Sequence, residues 1–248
     1  MAQPATFFMV FWALFHLMWN GPVKPAPVPA PLMGLSHEAW DILLKKHVDE
    51  EGMVDYRGFK KDSAALNAYL DMLATHLPGP QTGREERLAY YINLYNAATV
   101  KLILDHYPLK SIRDIGHPWD KKWIPLGGEL LSLGHIEHKI LRKMGEPRIH
   151  FAINCASYSC PKLLNEAFTV ARLEAQLEMA TTSFIRDTTR NHIGTDALEL
   201  SQIFQWYKAD FTEGGSLIEY IRPYAPNPIN PDAKISYRKY DWSLNENR

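Results

Sequence analysis

Residues 84–106 (REERLAYYINLYNAATVKLILDH) constrain the fold more than any other stretch of this chain. Leu88, Tyr91, Ile92, Tyr95, Val100, Leu102 and Ile103 cover most of the circumference of a helix, and a helix that is apolar nearly all round must be enclosed by the rest of the protein. The spacing therefore predicts a central helix. Asn93 and Asn96 sit three residues apart on it, so burial would force both amides into hydrogen bonds.

Shorter signals surround this helix. Trp40, Leu43, Leu44 and Val48 form a helical stripe after Ser36, a candidate N-cap. The segment from Gly52 to Arg57 reads as a turn into extended chain. A second helix is expected over 64–77, ending at Pro78-Gly79-Pro80. Residues 119–133 alternate around Gly127-Gly128 as a hairpin does. Ser132 then opens a short helix over 135–142, closed by Gly145 and Pro147. Arg148 to Asn154 (RIHFAIN) alternates and is rich in β-formers, so a buried strand is expected. A helix over 168–187 and strands over 196–200 and 235–240 complete the reading. Helices followed by mixed hairpins and helices predict an α+β fold: a single domain over 36–248 with a mixed or antiparallel sheet packed against helices.

Composition excludes several function classes. The 248 residues are 46% hydrophobic and 22% charged with a formal net charge of −1, the profile of an ordinary globular chain. Lys45-Lys46, Lys60-Lys61 and Lys121-Lys122 are isolated pairs among acids, so no basic patch exists to displace counterions and no nucleic-acid partner is expected. Neither a glycine-rich phosphate loop nor an internal repeat is present. The two cysteines, Cys155 and Cys160, have C-x4-C spacing and lack the four-ligand pattern of structural zinc. No metal and no cofactor is expected.

The run Phe7 to Trp19 (FFMVFWALFHLMW) has the length of a signal-peptide core and is shorter than a bilayer span of about 20 residues. Residues 1–20 are accordingly expected to be a signal peptide or membrane anchor, and the Pro-rich residues 21–35 an extended linker. No Lys or Arg precedes the run and no A-x-A site follows it. The expectation is an exported chain, periplasmic or anchored to the outer face of the inner membrane, that touches the membrane only through this segment.

Chemistry is concentrated in His150 to Pro161. A cysteine just past a predicted strand, followed by Ala156, Ser157, Tyr158 and Ser159, is placed to expose a thiol beside backbone N–H groups. Thiol catalysis also needs a base and a group that orients it. His150 is the nearest imidazole, though five residues on an ideal strand would put it on the face opposite Cys155. Glu137 and His138 on the preceding short helix are further candidates, as is His135. Asn154 and Ser157 add polar groups beside the sulfur. Against this stands the ordinary reading, in which a buried cysteine is a small hydrophobe. The aromatic stripes at 203–211 and 237–242 read as core.

The stretches LAYYINLYNAAT (88–99), LSLGHIEHKILR (131–142), RIHFAINCASYSCPKL (148–163) and LSQIFQWYKADF (200–211) resemble, in the same order, the domain-of-unknown-function family 547. GMVDYR at 52–57 is similar to that family's opening. The resemblance implies an exported bacterial domain with a rearranged papain-like fold and a Glu-His-Cys arrangement. Carried over, that places the carboxylate at Glu137, the imidazole at His150 and the thiol at Cys155. Where this family often has two acids before Ile-Glu, this chain has Gly134-His135.

The expected function is hydrolysis or acyl transfer by Cys155 on a peptide-like amide or thioester. His150 would act as base and Glu137 as its orienting group. Backbone N–H groups with Asn93 or Asn96 would stabilise the oxyanion. The alternative is a non-catalytic module holding a peptide or small thiol in the same cleft.

Overall fold

The computed structural model describes residues 35–247. The expected leader, and the expected linker up to residue 34, lie outside that range. Three helices come first: α1 (Glu38–His47), α2 (Tyr56–Lys61) and α3 (Ser63–Thr75). They pack around α4 (Arg84–His106), whose residues from Leu88 to Leu104 are buried except Tyr91 and Lys101, which are half-buried. Each large apolar side chain enclosed this way contributes about 1.5–3 kcal/mol of burial. The helix is central, as its all-round apolar pattern predicts.

A two-stranded antiparallel hairpin follows, β1 (Ile124–Leu126) and β2 (Glu129–Leu131). It turns at Gly127 and Gly128, both at positive φ (59° and 86°), a conformation that only glycine adopts without cost. Ser132 caps the next element by accepting from the His135 N–H. That element, α5 (Leu133–His135), runs on as a π turn over Ile136–Ile140 and a 3-10 turn to Met144. The π turn holds Glu137, and such turns are frequent where side chains must be aimed at a site.

The expected strand at 148–154 is instead α6, a single helical turn over Ile149–Ala152 with all four residues buried. A short apolar run buried on every side carries no usable period, so alternation misled here. Downstream come α7 (Leu173–Arg186), β3 (His192–Ile193), β4 (Ala197–Leu200), α8 (Gln202–Trp206), α9 (Lys208–Phe211), α10 (Leu217–Ile221) and β5 (Lys234–Tyr237). Helix α7 begins at 173, later than the pattern suggested. The region around 52–57, expected as a turn into extended chain, makes two isolated β-bridges at Val54, to Val48 and to Glu246, and enters α2 at Tyr56. β4 pairs antiparallel with β3 and parallel with β5, giving a three-stranded mixed sheet. The class is α+β, with two small sheets against helices.

Buried side chains form two clusters, one around α4 and one of Phe151, Phe184, Phe204, Phe211, Ile221 and their neighbours. The segment 149–156 lies on the seam. Ile149, Ala152, Ile153 and Ala156 enter the first cluster, Phe151 enters the second, and Cys155 packs against the second. The C-terminal tail then crosses this seam. Tyr158 N–H donates to the Ser243 carbonyl, Asn245 N–H to the Ala156 carbonyl and Val54 N–H to the Asn245 carbonyl. By these bonds the tail carries Tyr240 and Trp242 to Cys155. Among the described residues no helix is long and apolar enough to cross a membrane.

Candidate active site

Cys155 opens into a cleft of about 380 Å³, within the range of small-molecule sites. The α6 turn, the loop to Pro161, the π turn, α8 and the tail supply its walls. Glu137, His138, His150 and Cys155 all line it, so the structure gathers those four candidates. The bonds between them differ from the expected arrangement.

No hydrogen bond joins the Cys155 sulfur to His150. The sulfur lies 3.0 Å from Ser157 Oγ and 3.4 Å from the Tyr240 hydroxyl, which are themselves 2.9 Å apart. Cys160 Sγ accepts the Cys155 N–H at 2.9 Å. Burial raises the Cys155 pKa, but hydrogen bonds from Cys160, Ser157 and Tyr240 outweigh it and bring the thiol to about 7. Cys160 moves the other way, raised by burial and by its neighbour's charge. Burial and the sulfur's charge also raise the Tyr240 phenol, so it stays protonated as a donor. Ala156, at φ 59°, turns the chain so that Ser157 faces back to the sulfur. A non-glycine residue there is uncommon, and such strain gathers at functional sites.

His150 is 2% exposed and forms the back of the cleft. Its Nε2 donates to Asp210 Oδ2 at 2.8 Å, while Nδ1 is buried with no hydrogen-bond partner among the described residues. Arg142 grips Asp210 through two bonds of 2.6 Å, and this grip, with the His150 bond, holds the Asp210 carboxyl well below the usual carboxylate range. Asp210 is thus an acceptor, Nε2 must carry the ring proton, and Nδ1 keeps a free lone pair. Burial lowers the His150 pKa despite the Asp210 bond, so the ring is neutral at pH 7. Tyr207 stacks on it at 3.9 Å.

Glu137 therefore does not orient His150; Asp210 does. Glu137 accepts instead from the Tyr95 hydroxyl at 3.3 Å, and its negative charge helps to raise the Tyr95 and Tyr207 phenols, after burial as the main cause. The expected oxyanion amides are also committed elsewhere. Asn93 donates to the Phe168 carbonyl and accepts the Phe168 N–H; Asn96 donates to the Ala152 carbonyl and accepts the Asn154 N–H. Asn154 donates to the Pro161 carbonyl and accepts the Ala156 N–H. All three are buried brackets that satisfy backbone groups, as buried amides must. The Cys155 N–H is spent on Cys160. Ser157 and Tyr240 are the remaining hydroxyls at the sulfur.

Sequence reasoning missed Asp210 and Tyr240. Asp210 lies inside the LSQIFQWYKADF stretch, which was the available signal. Tyr240 had none, because it reaches the thiol only through the tail. Trp206 and Tyr207, expected as core, line the cleft, and Trp206 is 46% exposed.

The description "Protein of unknown function, DUF547" belongs to a family model that matches residues 80–185. That stretch of the chain belongs to the DUF547 family. The DUF547 match contains Glu137, His150, Cys155 and Cys160; Asp210, Tyr240 and Trp242 lie outside it, as do the motifs at 52–57 and 200–211. No curated protein and no solved structure matches the chain.

The His150–Asp210 pair should make the stability of this protein sensitive to acid. His150 is depressed below its usual value of about 6.5, so as pH falls through that value the unfolded chain binds a proton that the folded chain refuses, and stability drops. Asp210 is depressed too, so its contribution is complete above about pH 4 and is lost as pH falls towards its folded value. Asp210→Asn should lower the urea midpoint at pH 7 by more than at pH 3. An equal loss at both pH values would show that the carboxylate's charge contributes no stability.

Proposed function

We propose that this domain is a Cys155-dependent thiol hydrolase or acyl transferase of papain-like character, acting on a peptide-like amide or thioester. The observation that carries this reading is a half-buried sulfur in an open cleft, ringed by Ser157, Tyr240 and Cys160 and brought by them to a pKa of about 7. Such a thiol is substantially ionised at neutral pH and remains a good nucleophile. Attack on the carbonyl carbon forms a C–S bond and breaks the bond to the leaving group. The leaving amine or thiolate takes a proton, and water or a second acceptor then cleaves the acyl-sulfur bond and restores the thiol. His150 Nδ1, neutral and bearing a lone pair, is the group in the cleft wall suited to take the thiol proton as Cys155 attacks and to pass it to the leaving group, with Asp210 orienting the ring.

Rapid labelling of Cys155 by iodoacetamide at pH 6.5, with Cys160 unlabelled, is the first expected result. The second is a covalent acyl adduct on Cys155 when the protein meets small thioesters, absent from Cys155→Ser. Labelling no faster than that of a free thiol of pKa about 8.5 would remove the activated nucleophile.

The missing bond between His150 and the sulfur favours a second reading, a binding module that uses the same cleft for a peptide or small thiol. An activated thiol that never acquires an acyl group would select it. We further propose export, supported by the apolar run at 7–19 and the Pro-rich stretch after it; recovery of the full chain in a cytoplasmic fraction would refute it.

A further inference from the structure

The charge in the cleft is of one sign. Asp120 and Glu137 are its carboxylates, and among the described residues no Lys or Arg lines it. His150 contributes nothing positive, and the nearby guanidinium of Arg142 is committed to Asp210 by two short bonds. Glu137 is only 5% exposed, and among the described residues its one ion-pair contact is a 3.9 Å approach from the exposed His138. Its hydrogen-bond partners, the Tyr95 and Tyr207 hydroxyls, are neutral, so a cation arriving in the cleft would meet a buried carboxylate that no close side-chain cation neutralises.

The rest of the wall is aromatic. Trp119, Trp206, Tyr240 and Trp242 line it, and the rings touch in a continuous series: Trp206 stacks on Trp242 at 5.7 Å, and Tyr240 lies 4.5 Å from Trp242. Indole and phenol faces attract cations through their quadrupoles, most strongly where water is excluded. The protein's own cations already seek this wall: Arg113 sits 5.4 Å over Trp242, and Arg142 sits 5.5 Å over Tyr207. A cleft of this volume holds a small head group and the acyl group attached to it.

We infer that the cleft selects substrates bearing an organic ammonium group close to the acyl carbon that Cys155 attacks. The acyl half rests on the thiol reading above; cation recognition does not.

The test uses the full chain carrying Cys155→Ser, so that binding is read without chemistry. Calorimetric titrations compare choline, n-butylammonium and 3,3-dimethylbutan-1-ol, the last being a neutral match in shape to choline. At least one cation should bind about tenfold or more tightly than the alcohol. Preference for choline would identify a quaternary head group, and preference for n-butylammonium a lysine-like amine. Asp120→Asn, at an exposed position and therefore safe for folding, and Glu137→Gln should each weaken the cation several-fold and leave the alcohol unchanged. Equal affinity for alcohol and cations, no saturable binding of either cation, or cation affinity that survives both substitutions would overturn the inference. Those outcomes leave the acyl-adduct result untouched, so the two readings fail separately.

Discussion

Asn96→Ala is expected to lower the unfolding free energy by about 2–4 kcal/mol, because it strands two buried backbone groups at once. The Asn96 amide joins the middle of α4 to the C-terminal end of α6 and to the residue just before the thiol, donating to the Ala152 carbonyl at 2.9 Å and accepting the Asn154 N–H at 2.8 Å. Each stranded group would lose its partner without gaining water. Urea unfolding measures the loss, with Lys101→Ala, at a half-buried position on the same helix, as the reference. A loss below about 1 kcal/mol would mean that water or a shifted backbone replaces the bracket. Because α4 also fixes the turn before Cys155, the same variant should slow iodoacetamide labelling while it is still folded.

Removing both hydroxyls at the sulfur, as Ser157→Ala with Tyr240→Phe, leaves Cys160 and the Ser157 backbone to oppose the burial cost on Cys155. Burial alone pushes a thiol upward, and Cys160 together with these two hydroxyls reverses it. The midpoint of the labelling rate against pH should rise by at least about one unit, which is about a tenfold loss of rate at pH 6.5. Each single variant should fall between. Phenylalanine keeps the ring packed on Trp206 and Trp242, so folding is not the variable being read. An unchanged midpoint would transfer the activation to Cys160 alone.

Particular residues show how far the sequence could be read. Patterns carried within one element were reliable. The all-round apolar face of 84–106 identified the central helix, Gly127-Gly128 the hairpin turn and Ser132 a cap, because each is a local preference that neighbouring residues settle. RIHFAIN was misread, since a run buried on every side looks the same as strand or helix. Chemistry was legible as residue types in one short stretch, and the structure brings Glu137, His150 and Cys155 to one cleft. Their pairing was not legible. Asp210, sixty positions from His150, takes the bond expected of Glu137, and Tyr240, eighty-five positions from Cys155, takes the place of the expected base.

By itself the sequence determined an α+β chain built around one buried helix, with a nucleophile candidate at Cys155. Only the tertiary structure decided which groups touch that sulfur. A side chain's local periodicity records which face it buries, whereas its partner depends on how distant segments cross, here on a tail held by backbone hydrogen bonds that any residue other than proline could donate.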